Sequence, residues 1–364
     1  MRHDFRISPG LEQIAAAAAL DAERHDQDGS FPTQAFEALG AMGVTKRLPL
    51  GRGEAMDLLW ILAAAGRGDL SVGRILEGHV NVLVLIDRYG SETQRSVSRA
   101  LLDEGALFGV WNTDAPGNPL CEAEGALQGA KSFSTGIDGL SHAIVTTTVD
   151  GARQMLLVPL AGRPVDRTWW RPLGMKASGS HVVDFTGHRI DAGSRLGGPD
   201  AYIQQPWFSA GAMRFAAVQV GGMHGVLDTA VQHLQAARRT EDPYQRHRVG
   251  VMATAVEGGY GWLRRCAESW TRCETGGAAE AEEAIATVNA ARGAVERACL
   301  EVLELAERSV GAAGFIAPHP LERRLRDLRT YLRQPNPDGA LASFGDSVID
   351  GAWSPGRRSD PDIG

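Results

Sequence analysis

The spacing of apolar positions changes twice along the chain, from helical to alternating and back to helical. In residues 1–108 the alanine-rich segment Leu11–His25 predicts one long helix. Ser91 follows a long apolar run, and its hydroxyl is typical of a cap for a helix that begins at Glu92. We therefore predict an N-terminal helical domain over residues 1–108.

Residues 109–205 have fewer helix formers and more β-branched residues and glycine. Ala143–Val149 is a β-rich run, and Asp150-Gly151 behind it predicts a tight hairpin turn into Met155–Val158. These features predict a compact middle β domain, in the form of a small barrel.

Residues 206–350 return to helical spacing, with long helices predicted over Met252–Trp270 and Ala284–Val310. Long helices with short connections predict a four-helix bundle, followed by a flexible polar tail over residues 351–364. The order of helices, sheet and helices predicts a multi-part α+β fold and argues against a doubly wound parallel sheet.

Composition narrows the function classes. Of 364 residues, 43% are hydrophobic and 22% are charged, which is typical of a globular protein rather than a disordered one. The net charge of −7 argues against a nucleic-acid partner. No apolar run is long enough to span a membrane, and the polar start of the chain does not resemble a secretory signal, so we expect a cytoplasmic protein. The cysteines and histidines show no metal-ligand spacing, and no metal is expected.

Common catalytic signatures are absent from the sequence, including a dinucleotide-binding glycine motif, a Walker A loop, a zinc-protease helix motif and a nucleophile elbow. Three segments place aromatic, hydroxyl or charged side chains at turns or strand starts: Trp111–Gly117, Lys131–Gly136 and Trp169–Met175. Taken singly, each is more typical of a loop, a polar strand end or core packing than of a site. Their order along the chain is more informative than any one of them.

Taken together, these segments resemble the acyl-CoA dehydrogenase superfamily over roughly residues 10–350. Four segments carry the resemblance, in the family's order: Thr113–Gly117, Lys131–Gly136, Leu173–Ser180, and Gly311–Gly314 followed by Pro320–Asp327. The resemblance implies FAD held between the β domain and the C-terminal bundle. It also implies a homodimer or homotetramer in which a neighbouring subunit completes the site.

Carried over position by position, the resemblance places Thr135 within hydrogen-bonding reach of flavin N5 and packs Phe133 on the ring, where the family usually has Trp. The residues it assigns to the flavin are Trp111, Thr113, Phe133, Ser134, Thr135, Trp170, Arg238, Arg239, Gly311 and Gly314. The family's Phe-Gly after the pyrophosphate arginine is replaced here by Thr240–Tyr244. FMN is therefore an open alternative to FAD.

The family's catalytic carboxylate is missing from both of its usual positions. Ungapped counting puts Pro335 at the first position, and a three-residue shift puts Asp338 there. The second position is Met213, next to Arg214, and we assign both of these residues to the substrate side. Asp338 is either a substitute base or the cap of a helix over Ala340–Val348.

A related branch of the same fold, the two-component flavin monooxygenases, needs no such base. Its members use reduced flavin from a flavin reductase together with O2. They resemble this chain in the Lys-Ser-Phe segment and in a proline-rich stretch with Asp in place of Glu-Gly-Thr. Thr135 or Ser134 would then donate to the oxygen chemistry, and His79 is a further candidate donor. Some members have a histidine where this chain has Asn336.

The sequence therefore predicts a flavin-dependent oxidoreductase of this superfamily. Two reactions stay open: oxidation of a substrate resembling a CoA or carrier thioester, and hydroxylation with O2. A third possibility is a flavin-free scaffold, against which the retained Phe133 and Thr135 argue.

Overall fold

The computed structural model of the protein describes residues 10–191, 193–333 and 335–356. The predicted polar start and most of the predicted tail lie outside these described residues. No helix within the described part of the chain combines the length and apolar character needed to cross a bilayer. The predicted three-part order of helices, β region and helices is confirmed.

The N-terminal part of the described chain is helical. Its elements are α1 (Leu11–Ala18), α2 (Ala22–Asp28), α3 (Thr33–Ala41), α4 (Ala55–Gly68), α5 (Leu70–Tyr89) and α6 (Glu92–Asp103). The prediction of one helix over Leu11–His25 was wrong, because Asp21 has a φ of 52° and separates α1 from α2. The Ser91 cap is confirmed, since Ser91 Oγ accepts a hydrogen bond from the Gln94 backbone at 3.1 Å.

The β region consists of two sheets among the described residues. Their strands are β1 (Phe108–Trp111), β2 (Cys121–Ala123), β3 (Ala126–Gln128), β4 (Ala130–Ser134), β5 (His142–Val149), β6 (Ala152–Pro159), β7 (Val165–Asp166), β8 (His181–Asp184) and β9 (Arg195–Leu196). The larger sheet has the order β3-β2-β5-β6-β9, with β1 parallel to β5. The smaller sheet is β4-β8-β7. The predicted hairpin is confirmed: Val149 pairs with Ala152 across Asp150-Gly151, whose φ angles are both positive.

The C-terminal part is again helical. It contains α7 (Trp207–Ala210), α8 (Ala212–Ala236), α9 (Pro243–Cys273), α10 (Ala278–Val310), α11 (Pro320–Tyr331) and α12 (Pro337–Ile349). Helices α8, α9 and α10 pack on one another, α11 packs on α8, and α12 packs on α10.

Helices α4 and α8 approach unusually closely because both carry glycine at the contact. A Cβ at Gly221 would lie 1.9 Å from the Ala63 carbonyl oxygen, and one at Gly66 would lie 2.3 Å from the Val218 carbonyl oxygen. Only glycine fits at these backbone contacts. The close contact places the start of α8 beside α5, where polar side chains gather.

Helix α11 connects all three parts of the molecule through Arg326. Its guanidinium lies 2.6 Å from Asp26 Oδ2 in α2 and donates to the Leu173 carbonyl in the β region at 3.1 Å. It also bonds to Glu322 one turn earlier in its own helix. A single side chain therefore links the N-terminal helices, the β region and the C-terminal helices.

Candidate functional site

A chain of hydroxyl groups connects the end of β4 to the loop that precedes β8. Thr135 Oγ1 lies 2.9 Å from Ser180 Oγ, which lies 2.9 Å from Ser178 Oγ. The Gly136 backbone N–H donates to the Ser178 carbonyl at 2.8 Å. All three hydroxyl side chains are buried. Thr135 Oγ1 also reaches the Phe133 carbonyl at 3.4 Å, a weak contact that a ligand acceptor can replace. The chain therefore fixes Thr135 and leaves it capacity for a further hydrogen bond.

An aromatic cluster beside this chain is open on one side. Phe133 is 50% exposed and has a φ of 52°. Its ring meets Trp169 and Trp170 nearly edge-on, with centroids 4.9 Å and 6.0 Å away. Trp170 Nε1 is buried and has no hydrogen-bond partner within the described chain. An exposed ring beside an unpaired indole N–H is typical of a binding surface. We call Phe133, Trp169 and Trp170 the aromatic platform.

Trp111 and Ser134, both predicted to contact flavin, hold the backbone instead. Trp111 is 2% exposed, and its indole N–H donates to the Thr135 carbonyl at 3.2 Å. Ser134 is fully buried, and its hydroxyl donates to the Lys131 carbonyl at 3.3 Å. Both residues therefore hold the backbone around Thr135, and their hydrogen-bond donors are already used.

The loop carrying Thr113 is held against β4 by a buried lysine. Lys131 Nζ lies 2.6 Å from Asp114 Oδ1 and 3.1 Å from the Asn112 carbonyl. Burial lowers the pKa of Lys131, and the bond to Asp114 opposes that shift. The Ser132 N–H also donates to the Thr113 carbonyl at 3.0 Å. Thr113 itself is exposed beside the strand, as expected for a ligand-facing loop.

The loop that carries Ser178 and Ser180 is anchored by α11. Asp327 Oδ1 accepts from the Met175 N–H at 2.6 Å, and Thr330 Oγ1 accepts from the Gly174 N–H at 3.1 Å. Burial raises the pKa of Asp327 to about 7, against the lowering effect of Arg323. The anchor fixes the hydroxyl chain relative to the C-terminal helices.

A second polar group lies between α5 and the start of α8. Arg74 forms an ion pair with Glu77, whose other carboxylate oxygen accepts from Asn81. Arg214 Nε in turn donates to Asn81 Oδ1. Glu77 is 2% exposed and Arg214 is 9% exposed, so both charges are out of bulk water. We call Arg74, Glu77, Asn81 and Arg214 the arginine cluster.

Tyr202 lies among the charges of this cluster. Burial raises the pKa of its phenol, and the nearby cations Arg153, Arg74 and Arg214 lower it, while Glu77 raises it. Arg153 comes from β6, so the β region contributes a third cation. Within the described chain, neither Arg153 nor Arg214 has a carboxylate at ion-pair distance. The surroundings of Tyr202 are therefore electropositive.

The structure places neither predicted base position as a buried, free carboxylate. Met213 is 2% exposed and apolar. Asp338 is exposed in the first turn of α12, which packs on α10. Asp338 does not cap α12, because Asn336 does so by accepting from the Gly339 N–H at 3.2 Å. Asp338 stays in the first turn, where a carboxylate favours the helix dipole.

His79 is unavailable as the donor that we considered. It is fully buried and stacks on Phe108 with ring centroids 5.7 Å apart. Nε2 bonds to the Thr45 carbonyl at 2.8 Å, so Nε2 carries the proton, and Nδ1 accepts from the Phe108 N–H at 3.1 Å. Burial lowers the pKa of His79 to about 4. Both ring nitrogens are thus committed to the backbone, and the residue is structural.

Arg238, Arg239, Gly311 and Gly314 gather at the far end of the bundle. With its amide oriented to satisfy both neighbours, Gln245 accepts from Arg239 at 2.8 Å and donates to Ser309 at 3.1 Å. Arg238 and Arg239 are exposed. Gly314 is buried, and a Cβ there would lie 2.9 Å from Leu321, so its role in this chain is packing.

The described residues offer no metal site, since no three His, Cys, Asp or Glu side chains among them are grouped to hold an ion. The family model for the acyl-CoA dehydrogenase C-terminal domain matches residues 201–332. The matched stretch spans α7 to α11. The resemblance of the sequence to this superfamily is therefore confirmed.

Relatives extend this match to nearly the whole acyl-CoA dehydrogenase fold. Dibenzothiophene monooxygenase of Rhodococcus qingshengii is 23% identical, over 95% of this chain and 93% of the relative. The crystal structure of TdsC from Paenibacillus sp. A11-2 with FMN and indole superimposes with a TM-score of 0.83 at 18% identity, covering 94% and 96%. Methanesulfinate monooxygenase MsuC from Pseudomonas fluorescens superimposes with a TM-score of 0.80 at 21% identity, covering 94% and 96%.

Sequence reasoning missed the arginine cluster, although α5 carried a signal for it. Arg74, Glu77 and Asn81 recur at spacings of three and four along an otherwise apolar helix, so they share one face. A polar stripe on the face of a buried helix indicates a lined cavity rather than core. The sequence also did not show that Thr135 pairs with Ser180, because the two residues are 45 positions apart.

Proposed function

We propose that this protein is the oxygenase component of a two-component flavin monooxygenase and that it binds reduced FMN. The proposal rests on one combination of features: residues that suit a flavin, without a carboxylate placed as a catalytic base. The hydroxyl chain and the aromatic platform are both present, whereas Met213 and Asp338 offer no buried free carboxylate within the described chain. The monooxygenase names of the relatives support the same assignment.

The residues at the platform fit a flavin ring. A half-exposed phenylalanine and Trp169 offer apolar surface for an aromatic ring system, and Trp170 packs beside both rings. Thr135 retains hydrogen-bonding capacity beside them, and Thr113 is exposed on the neighbouring loop. Apolar stacking area with convergent polar groups is the usual composition of a cofactor site.

When bound, reduced flavin supplies two electrons that activate O2: one oxygen atom goes to the substrate and the other leaves as water, with two protons. The protein's part is to orient and to exclude water. Thr135 is held from two sides, by Ser180 through its hydroxyl and by Trp111 through its carbonyl, so it can direct a hydrogen bond without reorganising. The apolar rings of the platform keep bulk water from the reacting face.

FMN fits this chain better than FAD. The TdsC structure contains FMN. Here the stretch after the predicted pyrophosphate arginines folds into the start of α9, with Asp242 as its cap and Tyr244 75% exposed. Arg238 and Arg239 then serve the phosphate of FMN, from the same or a neighbouring subunit. A flavin reductase must supply the reduced cofactor, because nothing in the monooxygenase reaction regenerates it.

Dehydrogenation of a thioester is the second candidate, and one observation favours it. Glu77 is a carboxylate buried inside the fold near Arg214, although it does not occupy a family base position. Its two oxygens accept from Arg74 and Asn81, which ties the carboxylate into a network. We rank this candidate second because a general base needs a free lone pair directed at its substrate.

An anaerobic titration separates the two candidates. FMN-reconstituted protein is mixed with a panel of acyl-CoA thioesters, and the oxidised flavin absorbance is followed. Unchanged absorbance, followed by a transient spectrum distinct from free flavin when photoreduced protein meets O2, supports the monooxygenase. Bleaching by any thioester without added reductant contradicts it and makes Glu77 the first residue to replace.

A further inference from the structure

The arginine cluster carries more positive than negative charge in a place without bulk water. Glu77 balances Arg74, but among the described residues Arg214 pairs with the neutral amide of Asn81 and with no carboxylate. Desolvation lowers the pKa of Arg214, while Glu77 and Tyr202 raise it. A buried guanidinium without a carboxylate is costly unless a ligand completes its charge pairing.

Open space adjoins these charges. Gly78 is buried on the same helix, yet a Cβ placed on it would meet only the tip of Arg74, at 3.9 Å. Arg74 is surrounded by protein but keeps 25% of its side-chain surface accessible. The space beside Gly78 therefore borders the guanidinium of Arg74. Arg214, at the start of α8, joins the same network through Asn81.

We propose that Arg74 and Arg214 bind an oxyanion of the substrate, so that the enzyme acts on small molecules bearing a carboxylate, sulfinate or phosphate group. Guanidinium groups present several donors in a planar fork that matches such oxyanions. The inference rests on the proposed function only in calling this ligand the substrate; anion binding itself can be measured without turnover.

Isothermal titration of the FMN-reconstituted, full-length protein tests the proposal with probes of matched shape. Benzoate, benzenesulfinate and phenyl phosphate supply the three anions, and benzamide is the neutral analogue. We expect at least one anion to bind more than about tenfold tighter than benzamide. Repeating the titration without FMN keeps this readout separate from the flavin site.

Arg214→Gln is the primary variant. Its partner Asn81 is neutral, so removing the guanidinium leaves no uncompensated carboxylate, unlike removal of Arg74 beside Glu77. We expect this variant to lose about tenfold or more in anion affinity and to bind benzamide unchanged. Arg99→Gln is the matched control, because Arg99 is exposed on α6 and the substitution changes the net charge equally.

Gly78→Leu is an independent variant that fills the space beside Arg74 and keeps every charge. Leucine favours helix over glycine, so the fold is retained. Loss of anion binding in both variants, with FMN affinity intact, supports the proposal. Equal affinity for anions and benzamide, no anion binding at about 10 mM, or wild-type anion affinity in Arg214→Gln overturns it. Failure of FMN binding or oxygen transfer, with anion binding retained, counts against the monooxygenase proposal alone.

Discussion

The side-chain oxygens of Thr135 and Ser180 lie 2.9 Å apart, although the two residues are separated by 45 positions in the sequence. Thr135 follows β4, and Ser180 lies in the loop that Asp327 anchors to α11. The pair therefore couples the proposed flavin contact to the C-terminal helices. Substituting either residue should therefore change the affinity for the cofactor.

Replacing Thr135 with valine should weaken FMN binding about five- to tenfold, because a buried cofactor acceptor loses its donor. Ser180→Ala should give a smaller loss, since it frees the Thr135 hydroxyl without removing it. Flavin fluorescence titration measures both. Thr148→Val is the control, because Thr148 is exposed on β5. Wild-type FMN affinity in Thr135→Val would remove Thr135 from the site.

Phe133→Ala should reduce FMN affinity by about tenfold or more, since the ring supplies stacking area worth roughly 1–3 kcal/mol. Folding should be little affected, because the ring is half exposed. Phe208→Ala is a matched control: that ring is 46% exposed on α7 and packs edge-on against Tyr202. Equilibrium dialysis against FMN distinguishes the two variants, and equal affinities would contradict the platform assignment.

Asp338→Asn should leave turnover unchanged. The carboxylate is exposed on a helix that packs on α10, and Asn336 already supplies the cap. Coupled oxidation assays with a flavin reductase measure the effect. A loss of turnover of about a hundredfold or more would restore Asp338 as a catalytic base.

His79 should make stability fall on acidification. Its folded pKa is about 4, below the ordinary value of 6.5, because burial opposes the charged form. The unfolded chain takes up the proton as the pH falls through 6.5, while the folded protein does not until about pH 4. The free energy of unfolding should therefore fall across this window, by at most roughly 3 kcal/mol.

Urea denaturation at pH 7.5 and pH 5.5 measures this contribution. His79→Gln should lose about 1 kcal/mol of the pH dependence over that interval. His247→Gln, at an exposed position on α9, should keep it. An unchanged pH dependence in His79→Gln would mean that other groups carry the acid sensitivity.

The order of the three parts could be predicted from the sequence because each depends on local periodicity. The Ser91 cap and the Asp150-Gly151 turn followed from short-range rules, and both are present. The break at Asp21 escaped prediction, because alanine-rich sequence favours helix on both sides and carries no glycine or proline there.

Long-range contacts set the limits of prediction at the site. The sequence predicted Thr135 and Phe133 as flavin contacts, and that prediction awaits its test. It could not show that both ring nitrogens of His79 bond to the backbone of Thr45 and Phe108. Nor could it pair Arg214 with Asn81, because that contact depends on how α5 and α8 pack in the folded protein. Burial, which decides whether a polar residue serves structure or chemistry, is a tertiary property.

The bonds of Arg326 bear on how the protein unfolds. Its charge partner Asp26 is 300 residues away, and Leu173 lies between them in sequence. A fragment limited to residues 201–332, the stretch that matches the C-terminal family model, would keep Arg326 but lose both of these partners. We therefore expect this stretch to be less stable alone than within the whole chain. The three parts should melt together, in one cooperative transition.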